Sequence, residues 1–165
     1  MNPKVRVKSY EQVKREKESQ LNSKRKAINE ALTSAKNNPK FAKLLSYSFS
    51  SIDKMISPPQ SDARLNAKLI IEQGGLDVLR TIAQKNIHKE DICKQIADII
   101  LKLTCLSEGV DQELCQDFVE ANGHEAVIEL LLSKDKGPGS VPLIKCLNNL
   151  WSLDRKSGSA GMPRP

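Results

Sequence analysis

The side chains best suited to chemistry are few and scattered. Two histidines, His88 and His124, and four cysteines, Cys93, Cys105, Cys115 and Cys146, supply every imidazole and thiol in the 165 residues. The cysteines follow one another at 12, 10 and 31 residues with no C-x-x-C, a pattern of reduced thiols in an intracellular protein. A zinc site from Cys105, Cys115 and His124 would need a ligand spacing foreign to structural zinc motifs. A catalytic thiol needs a neighbouring base and an electropositive setting. Cys93 and Cys146 fall instead on apolar helix faces and read as small core residues. His88 lies in the turn His88-Lys89-Glu90-Asp91, and His124 follows a glycine turn, where a part-buried residue at a helix start is expected. Lys136-Gly137-Pro138-Gly139-Ser140 is glycine-rich, but no strand precedes it and G-x-x-x-x-G-K-[ST] is absent, so it reads as a loop between helices. Glu72 and Glu120 recur at matching places, which suits a shared helix-end role. No acid–base, metal or phosphate-cradling constellation emerges; a protein without cofactor or catalysis is expected.

Charge is distributed unevenly. Residues 1–43 hold 12 Lys and Arg against 4 Glu, while residues 44–165 hold 14 basic against 16 acidic, so the net +6 arises from the N-terminal quarter. A basic arm on a near-neutral body suits an acidic partner surface. Its candidate contacts are Lys4, Arg6, Lys8, Lys14, Arg15, Lys24, Arg25 and Lys26. No run of 18 apolar residues occurs, which argues against a membrane span. Neither a cleavable leader nor a myristoylated second-position Gly is expected after Met1-Asn2.

The elements that carry these residues read as helices throughout. Residues 9–36 predict a long polar helix capped by Ser9 with Gln12 three residues on. Its thin apolar stripe is Tyr10, Val13, Leu21, Ile28, Leu32 and Ala35, with Glu11–Arg15 and Glu30–Lys26 as i,i+4 pairs. Asn37-Asn38-Pro39 ends it. A second helix over 39–55 places Phe41, Leu44, Leu45, Ser48, Ile52 and Met55 on one side, and Ser57-Pro58-Pro59 stops it. From Asp62 onward short apolar helices alternate with turn signals, and nothing reads as a strand. Residues 157–165 read as a disordered tail.

An internal repeat organises this stretch. Ile70-Ile71-Glu72-Gln73-Gly74-Gly75-Leu76-Asp77-Val78-Leu79 aligns with Phe118-Val119-Glu120-Ala121-Asn122-Gly123-His124-Glu125-Ala126-Val127 at an offset of 48. Ile96, Ile100 and Leu103 then align with Leu143, Leu147 and Leu150 at an offset of 47. In each unit a helix ends at a glycine turn. The next presents Val78, Leu79 and Ile82, or Val127, Leu130 and Leu131. A third, over 92–105 or 141–153, presents Ile92, Ile96, Ile99, Ile100 and Leu103, or Ile144, Leu147, Leu150 and Trp151. One such unit cannot bury its own apolar faces, so neighbours must cover them. A degenerate third unit is expected at 39–56.

These segments resemble armadillo repeats: the Gly-Gly turn, the Leu-Leu helix and Leu147-Asn148-Asn149-Leu150 match that family over residues 62–153. The resemblance implies an all-α, right-handed armadillo-like α-solenoid over 39–156, with a basic N-terminal helical arm at 1–38 and a tail at 157–165. Polar positions on the third helices then line a concave groove, here Lys94, Asp98, Lys102, Lys145, Asn148 and Asn149, with Trp151 on the last helix. Nuclear import adaptors of this fold pair a Trp with an Asn four residues later. Asn149 fits the Asn place, but Lys145 stands for the Trp, and Asp98 and Lys102 take both places one unit earlier, so the basic-peptide groove is not carried over. Trp151 is expected to pack on the preceding helix or to anchor a partner. Something should cover the last helix: a partner, another copy, or the basic helix folding back.

The expected function is therefore a non-catalytic protein–protein interaction scaffold, a structural subunit of a larger cytoskeletal or axonemal assembly. Its partners would be protein subunits bound by the repeats and an acidic surface, such as that of tubulin, bound by the arm. The expected location is cytoplasmic, at the cytoskeleton or cilium, with no membrane partner. The alternative is a nucleic-acid-binding accessory subunit of a ribonucleoprotein or chromatin complex that uses the arm's charge, although Tyr10 is the arm's one aromatic for base stacking.

Overall fold

Ser9 begins the first helix as its pattern requires: Gln12 N–H donates to Ser9 Oγ at 3.3 Å, and Ser9 N–H donates to Gln12 Oε1 at 3.1 Å. The computed structural model describes residues 7–57, 61–106, 109–133 and 139–156, with side chains to 152. The described residues form an all-α fold of α1 (Tyr10–Asn37), α2 (Ala42–Ile56), α3 (Ala63–Glu72), α4 (Gly75–Lys85), α5 (Glu90–Lys102), α6 (Gln112–Glu120), α7 (Gly123–Ser133) and α8 (Ser140–Lys156). The arm residues Lys4 and Arg6, the prolines after Ser57, most of the 136–140 loop and the tail lie outside them. No described helix is long and apolar enough to cross a membrane.

One expectation fails between α5 and α6, where β1 (Cys105–Leu106) pairs antiparallel with β2 (Gly109–Val110). The cause is local. Asp111 N–H donates to Thr104 O at 3.2 Å and folds the chain back, and Gly109 accepts a φ of 116° there.

Only part of the α1 stripe is used. Ile28, Leu32 and Ala35 are buried, Leu21 is half-buried and Tyr10 is exposed. Packing therefore divides α1 near its middle: the C-terminal half belongs to the core, and the segment from Tyr10 to Gln20 stands clear. The Glu11–Arg15 and Glu30–Lys26 pairs do not form; Lys8 reaches Glu16 instead, at 2.8 Å. Asn38 closes the helix by donating from Nδ2 to Ser34 O at 2.9 Å. In α2 the buried side is Leu45, Ser48, Phe49, Ile52 and Ile56, while Phe41 and Leu44, placed inside by the pattern, are exposed. The helix is rotated because it is covered by α5 as well as by α1, and Phe49 and Ile56 share a face with Asp53, which binds Lys102 of α5.

Packing follows the repeat. Helices α3, α4 and α5 contact α6, α7 and α8 respectively, α2 contacts α5, and α1 lies on α2, α3 and α4. Adding 48 to the buried α2 positions 45, 48, 49, 52 and 56 gives 93, 96, 97, 100 and 104, all of them buried. Likewise Asn66, Ala67 and Ile70 of α3 correspond to the buried Leu114, Cys115 and Phe118 of α6. The offset thus extends upstream into residues 42–56.

The turn between the first two helices of each unit rests on two adjacent residues. Gly74 and Asn122 both adopt the left-handed conformation, φ 77° and 60°, which Gly enters freely and Asn tolerates. Gly75 and Gly123 follow, and each packs against the preceding helix. A Cβ on Gly75 would lie 2.6 Å from Ile70 Cγ2 and 2.7 Å from Ile70 O, and one on Gly123 would run into the Phe118 ring. Gly74→Ala, which meets no atom within 4 Å, should cost about 1 kcal/mol of backbone strain alone. Gly75→Ala must displace a backbone carbonyl and should cost about 3 kcal/mol. Urea unfolding followed by far-ultraviolet circular dichroism should show that order of midpoints; equal midpoints would mean that the α3–α4 approach is not set by this contact.

Candidate interaction surface

Most polar side-chain contacts between units span nearly one repeat. Arg64 of α3 donates to Asp111 (2.7 Å) and to Glu113, and Lys68 to Glu113; Arg80 and Gln84 of α4 converge on Glu129 of α7, the former at 3.0 Å. Lys102 of α5 binds Asp53 (2.5 Å) and Ser57 Oγ (3.0 Å) of the unit before it, and Gln95 reaches Ser46 Oγ at 3.5 Å. Asn149 Nδ2 of α8 donates to Thr104 Oγ1 at 3.2 Å. The partners stand 45 to 49 residues apart, the repeat period itself. The buried Asn86, which ends α4, donates from Nδ2 to Ile82 O (2.9 Å) and across to Pro39 O (2.6 Å), tying one inter-helix turn to the next.

Arg64 is the centre of the strongest cluster. Burial pushes the Asp111 carboxyl up, but Arg64 and the N–H of Leu114, which Asp111 caps, outweigh it and hold Asp111 below its ordinary value. Lys68 and then Arg64 lower Glu113 as well, and the two carboxylates raise the Arg64 guanidinium in turn. Asp77 and Glu129 likewise raise Arg80. Sequence reasoning missed these rungs; the signal was opposite charges one period apart.

These contacts divide the expected groove. Helices α2, α5 and α8 lie side by side in one row. Lys94 and Asp98 are on its surface without a side-chain partner among the described residues, and so are Lys145 and Asn148 of α8. Lys102 and Asn149 are half-buried and already bonded between units, so they serve packing. Trp151 is two-thirds exposed. Ile144, expected in the α8 core, is exposed too, because Leu143, Cys146 and Leu150 form the buried side. Two clefts open between α2 and α5, of about 420 Å³ along Asp53, Asp98 and Lys102 and about 690 Å³ along Lys43, Lys89, Lys94 and Asp98.

The basic arm is divided in the same way. Lys24 binds Asp62 at 2.7 Å and Arg25 lies 3.6 Å from Glu72, so both fasten α1 to α3. Lys14, Arg15 and Lys26 remain exposed, while Lys8 is paired with Glu16.

Three of the four thiols are buried, and Cys105, in β1, is half-buried. Cys93, Cys115 and Cys146 are all buried. Burial, aided by the Asp111 charge, pushes the Cys115 thiol up to about 11, and burial pushes Cys146 up to about 12. Both are protonated near neutrality and are poor nucleophiles there. Cys93 donates to Asn86 O and Cys115 to Thr104 O, at 3.2 and 3.4 Å. His88 is exposed, and His124 is half-buried at the start of α7. No group of three His, Cys, Asp or Glu among the described residues is placed to hold a metal. The chain matches no protein-family model, no curated protein and no solved structure.

Because the Asp111 and Glu113 carboxyls titrate lower folded than unfolded, their contribution is complete above an unfolded value of about 4 and is lost as pH falls through the folded one. Asp111→Asn keeps a capping side chain and loses the charge, whereas Asp111→Ala loses both and should cost about 1–2 kcal/mol at pH 7. In urea melts at pH 7, 5 and 3, the wild type should lead Asp111→Asn at pH 7 and see that lead shrink at the most acid pH, as the Asp111 carboxyl takes up its proton; a constant lead would exclude the Arg64 pair as its source.

Proposed function

We propose that this chain is a non-catalytic protein–protein interaction scaffold built as an armadillo-like right-handed solenoid, and a subunit of a larger assembly. Helix-on-equivalent-helix packing at a constant period supports the repeat architecture. The observation that carries the function is the row α2–α5–α8: its surface offers Lys94, Asp98, Lys145 and Asn148 without intramolecular partners, beside clefts large enough to admit a side chain or a helix edge. Charges of both signs alternate there, so the matching partner is a protein segment of mixed charge and not a polyanion.

The arm's free portion points the same way. Between Tyr10 and Gln20, three basic residues (Lys14, Arg15, Lys17) are offset by three glutamates. A phosphate backbone would find little net attraction along this stretch, and an acidic protein surface of tubulin type would be engaged mainly by residues 1–8 and Lys26.

The test compares proteins captured from a cell extract by the full chain, by a chain lacking residues 1–20, and by the double variant Lys94→Glu/Asp98→Lys. The truncation stops short of the buried half of α1, and circular dichroism checks each fold. A defined protein set that survives the truncation and falls at least tenfold in the double variant is expected. Capture of nucleic acid that vanishes with residues 1–20 and with moderate salt would overturn the scaffold reading in favour of nucleic-acid binding.

A further inference from the structure

The end of the α2–α5–α8 row has a chemistry of its own. Phe49 and Ile56 of α2 are buried, in a helix that meets α5; 48 residues on, Ala97 of α5 and Thr104 in the turn after it are buried, beside Leu143 and Cys146 of α8. The positions 47 further are Ile144 and Trp151, which are 49% and 66% exposed. The second row repeats the pattern. Arg80 and Gln84 of α4 reach Glu129 of α7, and 48 residues on stand Ile128 and Leu132, 45% and 83% exposed. The last unit therefore turns outward the face by which earlier units bind their successors, with the polar anchors replaced by apolar side chains.

Together with Val141, these residues expose roughly 600 Å² of apolar surface, at the upper limit of what a monomer leaves bare. A polar successor would leave its own charges unpaired here, because Ile128 and Leu132 stand in the places of Arg80 and Gln84. We propose that the occupant is a second copy of this chain, joined through the outer face of α7 and α8 about a two-fold axis. The face is self-complementary: its apolar residues meet one another, and its flanking charges, Glu125 and Lys145, are of opposite sign. Two copies would cover about 1,200 Å², the lower bound of a specific interface, with Trp151 as the large aromatic anchor such interfaces favour. A two-fold contact of like patches closes on itself and stops at the dimer. The inference rests on positional equivalence between units and does not depend on the groove's partner.

Sedimentation equilibrium on the full chain, over about 1 to 200 µM, reads the association directly. A dimer is expected, with the emission of Trp151, the sole tryptophan, moving to the blue as the dimer forms. Leu132→Glu and Trp151→Glu, both at exposed positions, should each weaken the dimer at least tenfold. Tyr47→Glu, on exposed α2 surface at the other end of the row, should leave it unchanged. Three outcomes would overturn the proposal: a monomer throughout the range, a dimer indifferent to both α7–α8 variants, or a mass that climbs without limit and falls with Tyr47→Glu, which would be head-to-tail joining.

Discussion

The approach of α3 to α4, and of α6 to α7, is the constraint from which the remaining geometry follows. At Gly74 and Asn122 the backbone turns left-handed, and at Gly75 and Gly123 the missing Cβ lets the next helix start against Ile70 or Phe118. With that approach set twice, the second helices present Leu79 and Ile82, or Val127 and Leu130, to the same core. The third helices then lie beside one another and bury Ile96, Ile100 and Cys146. A wider turn would separate the units and leave these faces wet, since no single unit is thick enough to enclose its own apolar surface.

Polar contacts keep the units in register without supplying much of the stability. Each rung is partly exposed, and exposed ion pairs contribute at most about 1 kcal/mol. Their value lies in selection. Among the described residues, Arg64 finds its acceptors on Asp111 and Glu113, and Lys102 on Asp53 and Ser57. Sliding one unit by a helical turn, about 5 Å, would part these charges from their partners. Apolar burial is non-directional and would tolerate such slips far better, so the rungs fix what the core alone leaves open.

Much of the architecture was legible in the residues because the repeat is written in small, stereochemically demanding positions. The Ser9–Gln12 box, the Asn37-Asn38-Pro39 stop and the Gly turns each have one local solution, and the helices begin or end there. Rotations of helices about their own axes were harder to read. Phe41 and Leu44 are as apolar as Phe49 and Ile56, so periodicity alone did not decide which pair faces inward; contact with α5 does. Ile144 and Trp151 misled for the same reason, since their counterparts one unit earlier, Ala97 and Thr104, are buried beside α8, whereas no described helix packs over Ile144 or Trp151. The candidate surface was legible as a set of positions, but Lys102 and Asn149 could not be told from Lys94 and Asp98 until their partners one period away were known.

The two ends of the row are chemically unlike, and α1 accounts for much of the difference. At 28 residues, about 42 Å long, it spans more than one helix of a unit. Its Lys24 and Arg25 reach the ends of α3, and its Ile28, Leu32 and Ala35 enter the core. One helix thus covers α3 and α4 on one side as α6 and α7 cover them on the other, and the outer surface it adds is charged. Helices α7 and α8 add the opposite: Ile128, Leu132 and Trp151 where the preceding unit has Arg80, Gln84 and Thr104. The exposed apolar side chains of the described residues in α7 and α8 are thus gathered on the side away from α1, where the charged surface lies.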